Sequence, residues 1–286
     1  MGVLAPAAPT SVGRRGVIPR TVPLGRALPT GAPNAMLVEH EPVTATIHRL
    51  RVRPDRSVPT FEAGQYFAIG LELEGGFIQR PYSTASPPGT TDELEFLVRL
   101  VPGGQLTPLL WRLRRGDRVR LGPPRGLFRL DPDTRRRQLF IATGTGIAPL
   151  LAMLLDHLRR TGREEPDRVD RPDGGAAPPI LLHGVASAPE LAYRRVLERL
   201  SSAGDILYVP AVSRPADPAN AGWRGVAGRL DAVLPEIAAS TGLDPLASVA
   251  YVCGNPGMIG AVERVLVSLG FPSSAVRTEH YWTPAA

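Results

Sequence analysis

The chain has 286 residues, 43% of them hydrophobic, which is enough for two buried cores and favours two domains. No apolar run approaches the roughly 18 residues of a membrane-crossing helix, so no membrane association is expected. The formal net charge is +6 and every one of the 33 basic residues is arginine. Arg14, Arg15, Arg20 and Arg26 place +4 of it before residue 36, leaving no footprint for nucleic acid in the remainder.

A single cysteine, Cys253, excludes a disulfide framework and a cysteine-ligated iron–sulfur cluster within the chain. The five histidines lack metal-ligand spacing, so no metal is expected. Arg112, Arg114, Arg115, Arg118 and Arg120 cluster, and Arg135–Arg137 follow. They read either as a solvated face or as a dock for an acidic protein.

Residues 1–35 are rich in Pro, Ala, Gly and Arg without a period, and a disordered tail is expected there. Arg14-Arg15 resembles the start of a twin-arginine signal, but Pro19, Pro23 and Pro29 break any apolar region after it. The same prolines argue against the amphipathic helix of a transit peptide, and a cytoplasmic location is expected. From residue 36 to 131 the chain reads as all-β. Val43–Leu50, Gln65–Leu73, Glu93–Leu100 and Arg118–Leu121 carry alternation or β-branched content between Gly and Pro turns. Short strands at this spacing predict a small antiparallel barrel.

Inside that region stands Arg80-Pro81-Tyr82-Ser83. An arginine fork suits a pyrophosphate, and a tyrosine offers a flat face and a hydroxyl. An ordinary strand would read the same way. Gly103-Gly104-Gln105-Leu106-Thr107 then precedes a possible helix at Leu109–Leu113. Its hydroxyl could cap that helix or meet a phosphate.

From Gln138, within a second domain taken as residues 132–286, strands and helices alternate. Strands are expected at Leu139–Ala142, Ile180–His183, Ile206–Val212 and Val249–Val252. Helices are expected at Leu150–Leu158, Pro189–Leu200, Arg229–Ala239 and Gly257–Leu269. This alternation predicts a parallel sheet with crossover helices. Thr161–Pro179 reads as a surface loop. Gly144-Thr145-Gly146 falls between a strand and a helix, where glycines admit a pyrophosphate to the helix N-terminus. Pro149 replaces the third glycine of the usual fingerprint, so a tight structural turn remains an equal reading. Ser213-Arg214 and Cys253-Gly254-Asn255-Pro256 each follow a strand, at the edge where such sheets bind ligands.

Taken in order, these runs resemble the ferredoxin–NADP⁺ reductase family of the bacterial type, over residues 36–282. Arg80-Pro81-Tyr82-Ser83 is similar to its FAD signature. Val101-Pro102-Gly103-Gly104-Gln105-Leu106-Thr107 resembles its second FAD segment. Gly144-Thr145-Gly146-Ile147-Ala148-Pro149 resembles its nucleotide loop, with Thr145 also touching flavin. Ser213-Arg214 resembles its 2′-phosphate pair, and Arg229 falls where some members carry a further phosphate ligand. Cys253-Gly254-Asn255-Pro256 resembles the element beside the nicotinamide. Glu279-His280-Tyr281-Trp282 is similar to the ending of a subclass whose terminal aromatics cover the flavin. Ala186 departs from an arginine found in relatives, and Thr283–Ala286 extends past the terminal tryptophan.

The resemblance implies FAD in the barrel and NADP(H) in the α/β domain. It implies a hydride passed to flavin N5 and then single electrons to ferredoxin or flavodoxin, an acidic carrier, by a monomer. Ser83, Cys253 and Trp282 would be catalytic. Arg80, Pro81, Tyr82, Ser83, Gly104, Gln105, Leu106, Thr107, Gly144, Thr145, Ser213, Arg214, Arg229 and Trp282 would bind cofactor. The alternatives are the reductase component of an oxygenase, an NAD(P)H:flavin reductase, or a flavin-binding module without turnover.

Overall fold

Strands β1 (Ala35–Thr44), β2 (Ile47–Pro54), β3 (Tyr66–Leu73), β4 (Gly76–Ser83), β5 (Leu94–Arg99) and β6 (Arg118–Leu121) pair in the order β4-β3-β6-β1-β2-β5. Each of these pairings is antiparallel. The computed structural model describes residues 32–73, 76–131, 135–162 and 177–281. The two end strands meet where Thr84 bridges Phe96. There the Glu95 carbonyl accepts from Ala85 N at 2.8 Å and from Thr84 Oγ1 at 3.1 Å. This seam brings the two ends of the sheet together at Thr84 and curls it into a barrel.

Alternating residues fill the barrel. Leu37, Leu50, Val52, Ile69 and Val98 are buried, with Phe67 edge-on to Phe61 and Phe96 at 5.5 and 6.1 Å. A short helix, α1 (Thr107–Leu110), adds Leu110 to the same core. The segment expected as one strand, Val43–Leu50, is instead a hairpin. Thr44 Oγ1 accepts from Ile47 N at 3.0 Å and holds the turn, so a local hydroxyl bond overrides β-branched content. β4 carries the Arg80–Ser83 run, so the ordinary-strand reading of that run describes its backbone, while Gly76 and Pro81 hide the strand's full length. Proline is tolerated there because β4 lies at the end of the sheet order.

The second half is a parallel sheet. Strands β7 (Arg137–Thr143), β8 (Ile180–Val185), β9 (Leu207–Val212), β10 (Val226–Ala227), β11 (Ser248–Gly254) and β12 (Val276–His280) run in the order β10-β9-β8-β7-β11-β12. All five pairings are parallel. Helices α2 (Ile147–Arg160), α3 (Arg194–Ser202), α4 (Leu230–Ser240) and α5 (Pro256–Ser268) cover it. Phe140, Leu181 and Tyr251 pack on one face with Leu150, Leu154 and Leu197. Ile141, Leu182 and Val252 pack on the other with Leu230, Leu234 and Val262. Burial on both faces is why these strands read as continuous apolar runs.

The helix expected over Pro189–Leu200 begins only at Arg194. Tyr193 adopts a left-handed backbone (φ 62°) that ends one turn before the next can start. β10 and β12 were not anticipated, being a two-residue pairing and the polar run Val-Arg-Thr-Glu-His.

Barrel and sheet are joined by specific bonds. Asp131 N donates to the Tyr251 hydroxyl at 2.7 Å, and Arg277 pairs with Asp131 at 2.7 Å. Arg99, at the end of β5, pairs with Glu190 at 2.7 Å. Among the described residues no helix is long and apolar enough to cross a membrane. The expected tail lies outside the described residues up to residue 31, as does most of the expected loop at 161–179.

Candidate flavin and nicotinamide site

The strand order reverses between β7 and β11, so the loops after these strands lie side by side. This reversal is where open α/β sheets receive ligands. The approach of the two loops is close enough to dictate glycine. A Cβ on Gly146 would lie 2.3 Å from the Cys253 carbonyl oxygen, and one on Gly254 (φ 143°) 2.2 Å from Thr143 Oγ1. Asn255 N donates to that Thr143 hydroxyl at 3.2 Å. Gly144–Gly146 form one 3₁₀ turn that leads directly into α2. The free N–H groups of a helix start therefore face a loop stripped of side-chain bulk at two of its three positions.

β4 brings the barrel's run to the same region. Arg80 donates to Gln79 O at 2.8 Å and reaches Gln105 Oε1 at 3.5 Å, so the first and second expected FAD segments touch. Pro81 is exposed on the strand. Tyr82 packs against the barrel core, and burial drives its phenol well above the usual range. Ser83 is buried. Gly104 has no room for a Cβ, which would meet Val101 O at 2.9 Å. The Leu106 side chain is buried in the barrel, so only its backbone can face a ligand. Thr107 does not cap α1. Its hydroxyl accepts from Val101 N at 2.9 Å and lies 3.3 Å from Val101 O, closing the loop that presents Gly104 and Gln105.

Tyr281 connects the two halves. Its hydroxyl donates to Thr145 O at 3.2 Å and interacts with Ser83 and Cys253, while burial pushes its phenol far up. Cys253 has no exposed surface, and burial raises its thiol in the same way. Glu279, in register beside Cys253 on β12, is lifted by burial to about 7. His183 lies under the sheet's ligand edge, and burial lowers it to about 4, so its ring is neutral. Ser83, Thr145, Cys253 and Tyr281 thus converge as uncharged groups. Trp282 lies outside the described residues.

The remaining expected residues mark the far end of the sheet edge. Ser213 and Arg214 are exposed after β9, and the Arg214 guanidinium has no partner among the described residues. Arg229 immediately precedes α4, is exposed, and is partly engaged by Asp231 at 3.2 Å. Arg99 and Glu279 were not anticipated as site-adjacent residues. Arg99 Nη2 lies 3.0 Å from the place a Gly144 Cβ would take. No sequence period reports such a contact, because it crosses from barrel to sheet.

This donor set fits a dinucleotide and a flavin nucleotide. There are guanidinium groups at two ends, close-packed glycines at Gly104, Gly146 and Gly254, and neutral hydroxyls between them. Residues 34–130 match the oxidoreductase FAD-binding domain family, and residues 140–264 match the oxidoreductase NAD-binding domain family. The fold and these matches define a flavoprotein oxidoreductase that binds FAD and a nicotinamide dinucleotide.

The chain is 34% identical over 254 residues to Ferredoxin--NADP reductase B of Sorangium cellulosum (strain So ce56), covering 86% of this chain and 96% of that protein. It belongs to the ferredoxin–NADP⁺ reductase family. It is also 31% identical to the phenol 2-monooxygenase reductase component DmpP of Pseudomonas sp. (strain CF600), covering 85% of this chain and 64% of that longer protein. Amycolatopsis cytochrome P450 reductase GcoB shares the fold at a TM-score of 0.72 and 26% identity, over 87% of this chain and 69% of that one.

Proposed function

We propose that the chain carries electrons from NADPH, through FAD, to ferredoxin or flavodoxin. The observation that carries this reading is the meeting of Ser83, Thr145, Cys253 and Tyr281 at the junction of barrel and sheet. Bound FAD supplies the conversion of one two-electron donor into two one-electron deliveries; the protein supplies binding, orientation and a water-poor site.

Arg80 and Gln105 are suited to hold the FAD pyrophosphate, with the Gly104 backbone beside them. Tyr82 offers its ring face, and the Ser83 hydroxyl holds a proton near the reacting edge of the flavin. Gly144 and Thr145 receive the nucleotide, and Cys253 forms the wall beside the nicotinamide. Tyr281 covers that place until the nucleotide displaces it. Ser213, Arg214 and Arg229 select the 2′-phosphate, so NADPH is preferred. A monomer acting in the cytoplasm belongs to the same reading.

Arg214→Ala is expected to raise the KM for NADPH and leave that for NADH unchanged, since one charge-assisted phosphate contact contributes about 1.5–3 kcal/mol. Equal losses with both nucleotides would count against the 2′-phosphate role.

The test of the whole reading is NADPH-driven cytochrome c reduction by the FAD-loaded protein, with and without a ferredoxin or flavodoxin. Strong stimulation by either carrier supports it. Flavin reduction without stimulation favours the second reading, an oxygenase reductase component, which the 31% identity to the phenol 2-monooxygenase component brings forward.

A further inference from the structure

One buried amide ties together the loops at the far end of the nucleotide edge. Asn220 is 4% exposed and ends the 3₁₀ turn Pro218–Asn220. Its Nδ2 donates to Arg214 O at 2.7 Å and to Ala186 O at 3.1 Å. Its Oδ1 accepts from Ala188 N at 2.7 Å. Its own N–H donates to Asp217 O at 2.8 Å, and its carbonyl accepts from Trp223 N at 2.9 Å. Both amide hydrogens and the amide oxygen are therefore used, on a side chain that is almost wholly buried. No other side chain of this size offers two donors and one acceptor: Asp has no donor when ionised, and Leu has neither.

These bonds join the loop after β8 (residues 186–188) to the loop after β9 (residues 213–214). Arg214 is held through its main chain alone, by Asn220 Nδ2 and by Asp217 N at 3.0 Å to the same carbonyl. Its guanidinium is exposed and has no partner among the described residues. A long, unpaired side chain on an exposed loop loses much freedom on binding, and a fixed backbone removes part of that cost in advance.

We propose that Asn220 is a positioning residue for nucleotide selection: it fixes the Arg214 backbone against the β8 loop, so that the guanidinium is presented to a 2′-phosphate. This rests on the assignment of Arg214 to the 2′-phosphate. Asn220 itself touches no nucleotide, and its loss weakens NADP⁺ rather than nucleotides in general.

Calorimetric titration of the FAD-loaded protein with NADP⁺ and NAD⁺ tests this in wild type, Asn220→Ala, Asn220→Asp, Ala188→Pro and Arg214→Ala. Both Asn220 variants should weaken NADP⁺ about tenfold and NAD⁺ less than about twofold, the scale of one charge-assisted contact. Ala188→Pro keeps Asn220 but removes the Ala188 N–H, and should shift the ratio in the same direction by less. Equal losses for both nucleotides, or an unchanged ratio, overturn the proposal. If the Asn220 variants do not retain FAD, the ratio in Ala188→Pro decides by the same criterion. If Arg214→Ala shifts the ratio and the other variants do not, only the role of Asn220 falls. An unchanged ratio in Arg214→Ala removes the 2′-phosphate assignment and this proposal with it.

Discussion

Burial opposes ionisation at Glu279, and the consequence is a pH dependence of stability. Its folded-state value is about 7 against an ordinary 4.5, so the folded chain holds this proton more tightly than the unfolded chain does. The associated stabilisation is fully present below about 4.5 and is lost as pH rises through about 7. The urea midpoint should therefore fall across that window, and Glu279→Gln should flatten the fall. A wild-type slope retained in the variant would assign the effect elsewhere. The same physics keeps neighbouring groups neutral at working pH. Tyr82, Tyr281 and Cys253 are pushed up by burial, and His183 is pushed down to about 4. Around the junction they act as neutral hydrogen-bonding or apolar groups; in the proposed function the phosphates fall to Arg80 and Arg214.

Two strand–loop elements owe their shape to close backbone approach. The turn after β7 and the end of β11 touch, with a Gly146 Cβ placed 2.3 Å from Cys253 O. Backbone cannot yield as a flexible side chain would. Gly146→Ala should cost about 1–3 kcal/mol, as overpacked sites do, read as a lower urea midpoint, and should weaken nucleotide binding. Gly103, whose backbone is left-handed (φ 73°) with open space around it, should respond differently. Gly103→Ala meets only backbone strain, about 1–2 kcal/mol, and should not disturb nucleotide binding. Normal nucleotide affinity in Gly146→Ala would show that the two loops can part.

At the scale of the whole molecule, barrel and sheet share one apolar cluster, in which Ile47, Leu97, Phe128 and Leu130 lie with Phe140, Ile147 and Leu151, and a few polar bonds cross beside it. The Arg99–Glu190 pair is half exposed on the arginine side, so Glu190→Ala should change stability by no more than about 1 kcal/mol. Tyr281 donates to the Thr145 carbonyl at 3.2 Å, and in the proposed function it covers the edge a nicotinamide must approach. Deleting residues 281–286 should raise nicotinamide affinity, measured by titration of the flavin absorbance. Unchanged binding and turnover would sink this gate.

The amino-acid sequence alone determined the fold class, because strands buried on one face alternate and strands buried on both faces are continuous. Leu139–Ala142 and Val249–Val252 were legible for that reason, as were the glycine turns beside them. The polar strand at Val276–His280 was not, since its pairing with β11 is made of main-chain bonds that no side-chain period records. The hairpin inside Val43–Leu50 was hidden by β-branched residues that suit a strand as well as its turn. Motif order also pointed to the candidate residues and their chemical types. Only the tertiary structure decided which residues meet, Arg80 with Gln105 and Tyr281 with Thr145, and it alone showed Asn220 bound to the backbone of Arg214. Each of these contacts joins separate elements or loops, and its distance is set by how barrel, sheet and loops pack, which no local pattern of residues encodes.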